Sequence, residues 1–148
     1  MIQEIEKFSV ISNTDDGSFS VLTFGEKNLE ISVIGSFIEK QYELDCFYLI
    51  FTSFCDVYDE ELTIYLLSKE FEIIDFVQVR EQILISGQGL LEQVKIVSEN
   101  TISFEFIVKK PWILRVLNKA QRIQSFLPLC AARPIKNLFS KKYLKLSH

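Results

Sequence analysis

The sequence predicts a mainly β fold: a single-domain antiparallel β-sandwich or partly open barrel of about nine strands, with a basic C-terminal segment packed on it. Three observations point there. Short apolar runs rich in Phe, Ile, Val, Tyr and Thr recur about every 8–12 residues through the first hundred positions. Turn-forming residues separate them. The chain has 148 residues, 48% of them hydrophobic, with only 3 Pro and 5 Gly, which suits one packed core and argues against disorder.

Residues 4–11 (EIEKFSVI) open the series, and SNTDDGS leads from them to residues 19–24 (FSVLTF). Asp16-Gly17 marks a hairpin, because Gly supplies the positive φ of a tight turn. In residues 29–37 (LEISVIGSF), Leu29, Ile31 and Val33 alternate with Glu30 and Ser32. Residues 44–54 (LDCFYLIFTSF) are too apolar to alternate, which places them at a sheet centre covered on both faces. Residues 62–67 (LTIYLL) and 71–79 (FEIIDFVQV) follow, with Ser68-Lys69-Glu70 as a tight turn between them. Residues 83–85, 94–97 and 102–108 complete the set, with SGQGL and SENT as turns. After that the reading is open. Ile113, Val116, Leu117, Ala120, Ile123 and Leu127 share one helical face and Pro111 suits a first turn, so 112–127 reads as a helix. WILRVL also reads as a strand with RIQSF as its return, and residues 137–148 read as a short helix or a last strand.

Charge is divided along the chain. Residues 1–108 hold all 20 acids and 6 of the 16 bases; residues 109–148 hold the other 10 bases and no acid. The simplest expectation is that the basic segment packs across the acidic β-body and offsets its charge. The overall net charge of −4 and the spread of the bases argue against nucleic acid as the partner. No apolar run nears the roughly 20 residues of a membrane helix, and MIQEIEKFSV lacks a signal-peptide core, so the cytoplasm is the expected location. The 3 cysteines lack metal spacing and read as free, largely buried thiols.

Catalytic chemistry finds little footing. The one histidine, His148, is expected at a frayed end, which removes Ser-His and Cys-His pairs. DVYDEE lacks the glycine and spacing of a calcium loop, and SGQGL is a lone G-x-G. No catalytic residue, cofactor or metal is expected. The density of acids instead suggests a steered contact with a basic protein, at Asp56, Tyr58, Asp59, Glu60 and Glu61, followed by Glu70, Glu72 and Asp75.

Two runs carry a resemblance: EKQYELDCFYLIFTSFCDVYDEELTIYLLSKEFEIIDFVQV (residues 39–79) and RPIKNLFSKKYLKLS near the end. They resemble the small β-rich immunity proteins encoded beside bacterial contact-dependent inhibition and Rhs-type toxins. The resemblance implies a cytoplasmic, non-enzymatic protein that binds one cognate toxin, often a basic nuclease. It carries no residue roles. Two other readings stand beside it: a β-barrel holding a small hydrophobic ligand among its 13 Phe, and a structural subunit assembled by sheet-edge pairing.

Overall fold

A computed structural model describes residues 1–12, 14–15, 18–55, 59–82, 91–106, 108–122, 131–132 and 141–148, and among these no helix occurs. The strands are β1 (Gln3–Glu4), β2 (Phe8–Ser12), β3 (Phe19–Phe24), β4 (Lys27–Ile34), β5 (Phe37–Glu43), β6 (Phe47–Cys55), β7 (Asp59–Ser68), β8 (Ile73–Gln82), β9 (Leu91–Ser98), β10 (Thr101–Phe106), β11 (Val108–Gln121), β12 (Ala131–Ala132) and β13 (Lys142–Ser147). They pair antiparallel in three sheets: β1-β5-β6-β7-β8-β12, β13-β11-β10-β9 and β2-β3-β4.

The layering follows from β6 and β7. Consecutive residues of a strand face opposite ways, so a run such as Tyr48-Leu49-Ile50-Phe51 needs cover on both faces. Leu49, Phe51, Leu62, Ile64, Leu66, Val77 and Val79 pack with Ile102, Phe104, Phe106, Trp112, Leu114, Val116, Leu144 and Leu146 of the four-stranded sheet. On the other face Tyr48, Ile50, Tyr65 and Leu67 pack with Phe8, Leu22 and Val33 of the three-stranded sheet. The long sheet is thus the middle of a sandwich-like stack. Each fully buried side chain of this size contributes about 1.5–3 kcal/mol.

Several expectations are corrected. The described strands outnumber the nine expected; of the two architectures expected, the sandwich-like one is formed, and the described strands close no barrel. The expected stretch 4–11 is two strands, and 29–37 ends at Ile34 before a separate β5. β5 (FIEKQYE) escapes a hydrophobic-pattern reading because it is mostly polar and carries a bulge between Ile38 and Lys40. The helix expected over 112–127 is contradicted as far as the chain is described, since Val108–Gln121 is β11. The segment fits both periods. Pairing decides between them: Phe104, Ile102 and Thr101 of β10 oppose Trp112, Leu114 and Arg115, which buries Trp112, Leu114 and Val116 in strict alternation. Cys46 is an exposed thiol rather than a buried one. His148 stacks on Trp112, ring centroids 3.5 Å apart. The Asp16-Gly17 turn, residues 83–90, 123–130 and 133–140 lie outside the described residues, although β2 and β3 do pair as the expected hairpin.

Specific polar contacts fix the layers to one another. On one side the Tyr65 hydroxyl accepts the Ile34 N–H (2.8 Å), and the Thr52 hydroxyl donates to the Ile34 carbonyl (2.7 Å). Gly35 follows with φ +113°, and a Cβ there would stand 2.7 Å from the Ser53 carbonyl oxygen, so only glycine lets the strands approach. On the other side Asp75, 4% exposed, accepts the N–H groups of Tyr143 (2.9 Å) and Leu144 (2.8 Å), which ties β13 to β8.

Two predictions follow from these contacts. Asp75→Ala strands buried amide donors and costs about 2–4 kcal/mol in urea unfolding, while Asp75→Asn, which keeps an acceptor oxygen, costs less. Equal stability of all three proteins contradicts the tie. Burial raises Tyr42 from 10.0 to about 12, with Glu4 adding to the rise, and burial likewise raises Tyr65 to about 12. A raised pKa means the folded chain holds its phenol proton where the unfolded chain has lost it. The associated stability is complete below about pH 10 and is lost as pH rises toward 12. Unfolding measured across that window steepens in the wild type, and Tyr42→Phe makes it shallower.

Candidate interaction surface

The residues singled out for partner binding do not gather on one face. β7 is 10 residues long, so its ends stand roughly 30 Å apart. Glu60 and Glu61 lie near one end, and Glu70 and Glu72 lie past the other, on the β7–β8 turn. Strand parity divides them again. Glu60 is 5% exposed, on the same side of β7 as Leu62 and Ile64. Glu61 points the opposite way and is occupied: its carboxylate accepts Gln78 Nε2 (2.7 Å) and pairs with Arg80 Nε (2.6 Å). Asp75 is the interior acceptor described above. Asp59 begins β7, and its side chain is not described; Asp56 and Tyr58 lie outside the described residues. Glu70 and Glu72 are exposed, as expected of a docking surface.

The turn bearing Glu70 and Glu72 is tightly built. The Phe71 N–H donates to the Ser68 carbonyl (3.1 Å), and the Glu70 and Glu72 N–H groups both donate to Ser68 Oγ (3.2 Å each). Phe71 sits at φ 65°, an uncommon region for a large side chain. What holds it there is an aromatic cluster. Its ring stacks on Tyr48 (5.8 Å between centroids, 5° between planes) and lies 5.0 Å from Phe24, while Phe8 meets Phe24 edge-on at 4.9 Å. Such pairs contribute about 0.5–1.5 kcal/mol each beyond burial, enough to offset the local strain.

The cluster joins two turns. Gly25, on the β3–β4 turn, donates its N–H to the Lys7 carbonyl (2.9 Å), and Lys27 places its ammonium 5.4 Å from the Phe71 ring centre. Lys69 lies 4.2 Å from the Tyr48 ring centre and 2.7 Å from Glu43 Oε1, and Lys7 reaches Glu43 Oε2 at 3.1 Å. Lys7 and Lys69 are therefore engaged with one carboxylate. The acids at this end, Glu6, Glu26, Glu70 and Glu72, are exposed and form no ion pair among the described residues. The result is a half-buried aromatic floor, Phe24 and Phe71, at an end of the molecule that also carries these four exposed carboxylates and, over the Phe71 ring, the Lys27 ammonium. Reading acid density along the sequence misses Glu6 and Glu26. The signal that would have found them is the Gly25-Glu26 turn, which a β3–β4 hairpin brings to the same end as Ser68-Lys69-Glu70.

Other features carry less. An open cleft of about 210 Å³ lies among Met1, Leu44, Asp45, Cys46, Phe47, Glu99, Asn100 and Asn118, smaller than the roughly 300–1,000 Å³ of small-molecule sites. The space between sheets that a barrel ligand would occupy is filled by Phe51, Phe104, Phe106 and Trp112, all essentially inaccessible. No group of three or more His, Cys, Asp or Glu side chains suited to a metal ion occurs among the described residues.

Compared with protein-family models, curated proteins and solved structures, the chain finds no match.

The ion pairs at this end set one titration. Hydrogen bonds from Lys69 first and Lys7 second hold the Glu43 carboxyl below its ordinary value of 4.5. A lowered pKa means the pair stabilises the fold above about pH 4.5 and that this support is lost as pH falls through the folded value. Lys69→Met removes the larger cause, so a carboxyl NMR titration of Glu43 shifts upward toward the ordinary range. An unmoved curve contradicts the assignment.

Proposed function

We propose that this chain is a non-enzymatic binding protein that neutralises a cognate toxin domain in the bacterial cytoplasm, as an immunity protein of a contact-dependent inhibition or Rhs-type system does. The observation that carries the reading is the turn-built end of the molecule. Exposed carboxylates at Glu6, Glu26, Glu70 and Glu72 lie on the turns and strand ends that carry the half-buried rings of Phe24 and Phe71, with the Lys27 ammonium over Phe71. An apolar centre inside a charged rim is the general anatomy of a specific protein contact. Acids on the rim steer a basic partner and reject an acidic one. A basic nuclease-like toxin domain is the partner chemistry that fits. The site sits on strand ends and tight turns fixed by the aromatic cluster, so it is preorganised and loses little freedom on binding.

The test is capture of a partner by the tagged chain at low salt, followed by affinity measurement with the purified pair. The expected partner is basic, is released as salt rises, and is toxic in cells unless this chain is co-expressed. The double substitution Glu70→Lys with Glu72→Lys weakens binding about 10–100-fold, mostly through slower association and loss of salt sensitivity. Both side chains are exposed, so the fold persists. Unchanged affinity in the double variant removes this surface from the account, and a captured partner that is harmless to cells removes the immunity reading.

A further inference from the structure

Arg115 and Lys145 of the C-terminal segment form no ion pair with the acidic body among the described residues, although the charge division suggests such pairing. β11 and β13 pack inward through Trp112, Leu114, Val116, Leu144 and Leu146, and alternation turns the residues between them outward. Arg115 and Lys145 are register partners on adjacent strands, both exposed. Lys95 of β9 lies on the same outer face, in register with Ser103, which is in turn in register with Ile113. None of these three bases is in an ion pair among the described residues, and Lys110 and Lys119 on β11 are exposed as well. With strands about 4.8 Å apart, Lys95, Arg115 and Lys145 span roughly 15 Å of sheet. The patch is bounded at one end by Glu92 and Glu105, themselves register partners.

We propose that this outer face of the four-stranded sheet is a second docking surface, one that takes a carboxylate-rich face of a protein. Charge complementarity supplies the sign. The free guanidinium of Arg115 beside the Lys145 ammonium matches paired carboxylates, which Arg grips bidentately. Apolar content chooses protein over polyphosphate. Ile113 and Leu117, on the outward side of β11 with Arg115 by alternation, are half-buried. A phosphate backbone offers nothing to cover them, whereas the centre of a protein contact does. Single-stranded nucleic acid would also need aromatic platforms. The aromatic ring on this stretch of β13, Tyr143, is instead packed 5.4 Å from Phe47. The surface lies on the far side of the six-stranded sheet from the three-stranded sheet and its acidic turn, so partners of opposite charge can bind together.

The probe is a synthetic peptide of alternating Glu and Val, titrated into the full chain while amide NMR shifts and fluorescence anisotropy are recorded. The expected result is saturable binding with shifts centred on Lys95, Ser103, Ile113, Arg115 and Lys145. Arg115→Glu with Lys145→Glu weakens it at least about tenfold, and Glu70→Lys with Glu72→Lys leaves it unchanged, which separates this surface from the acidic one. Circular dichroism confirms that both double variants fold. The proposal is overturned by no binding, or by equal binding to the Arg115/Lys145 variant. Tighter binding of a single-stranded oligonucleotide or of phosphatidylserine vesicles at the same salt overturns it in favour of those ligands. Concentration-dependent self-association that the same variant abolishes would assign the face to a second copy of the chain and overturn it equally.

Discussion

Burial of the six-stranded sheet on both faces is the constraint on which everything else rests. The middle strands β6 and β7 carry large apolar groups at consecutive positions, so neither face can be left to water. One antiparallel cover would leave half of them exposed. The chain meets the need by spending its beginning on one cover, β2-β3-β4, and its end on the other, β9-β10-β11-β13. The central hairpins supply the middle. The chain order of acids and bases thereby becomes a spatial order, because its first and last parts end on opposite sides of the same sheet.

Apolar packing alone would let these layers slide, since hydrophobic attraction is not directional. Register comes from side chains that reach across to backbone. Gln41 of β5 accepts the N–H groups of Lys7 (2.9 Å) and Phe8 (2.8 Å) and donates to the Phe8 carbonyl (3.1 Å), which covers the free edge of β2. Tyr65 and Thr52 meet the two backbone groups of Ile34. Asp75 does the same for β13 from the other face. Each contact contributes only about 1 kcal/mol net when made, but a missing one leaves a buried group unsatisfied at greater cost. The penalty for wrong register thus exceeds the reward for the right one, which is how a few polar groups specify an arrangement that many apolar ones merely favour.

Much of the fold was legible because it is written in local pattern. Phe19–Phe24 was recovered to its ends, and the double-faced burial of the Tyr48–Phe51 region follows from its lack of alternation. Ser68-Lys69-Glu70 was recognised from turn chemistry alone. What failed needed the partner strand. β5 is polar enough to pass for a loop, and only its place beside β6 makes it a strand. β11 satisfies the helical and the extended period together, so its neighbour β10 decides. The candidate binding residues are scattered for a different reason. Density of acids along a sequence says nothing of parity, and parity sends Glu60 inward and Glu61 outward. Asp75 looked like surface charge because a carboxylate is ordinarily solvated; here it is a backbone acceptor in the core. Glu70 and Glu72 are exposed because turn residues have no buried face to be drawn to.

The same parity argument bears on the stretch free of acid in a chain with a net charge of −4. A strand that covers a core has one face already assigned to apolar groups. Most charges it carries then stand on the other face, toward water; Lys142 of β13, 4% exposed on the side of Leu144 and Leu146, is an exception. In β11 and β13 the outward positions include Arg115 and Lys145, and their register brings like charges side by side. Like charges directly opposite across a sheet are destabilising by a few tenths of a kcal/mol or more. An acid in the last 43 residues would relieve that repulsion, and none occurs. Folding alone would therefore favour a mixed face. A face that is less stable than a simple substitution could make it is better understood through what it meets than through what it holds together.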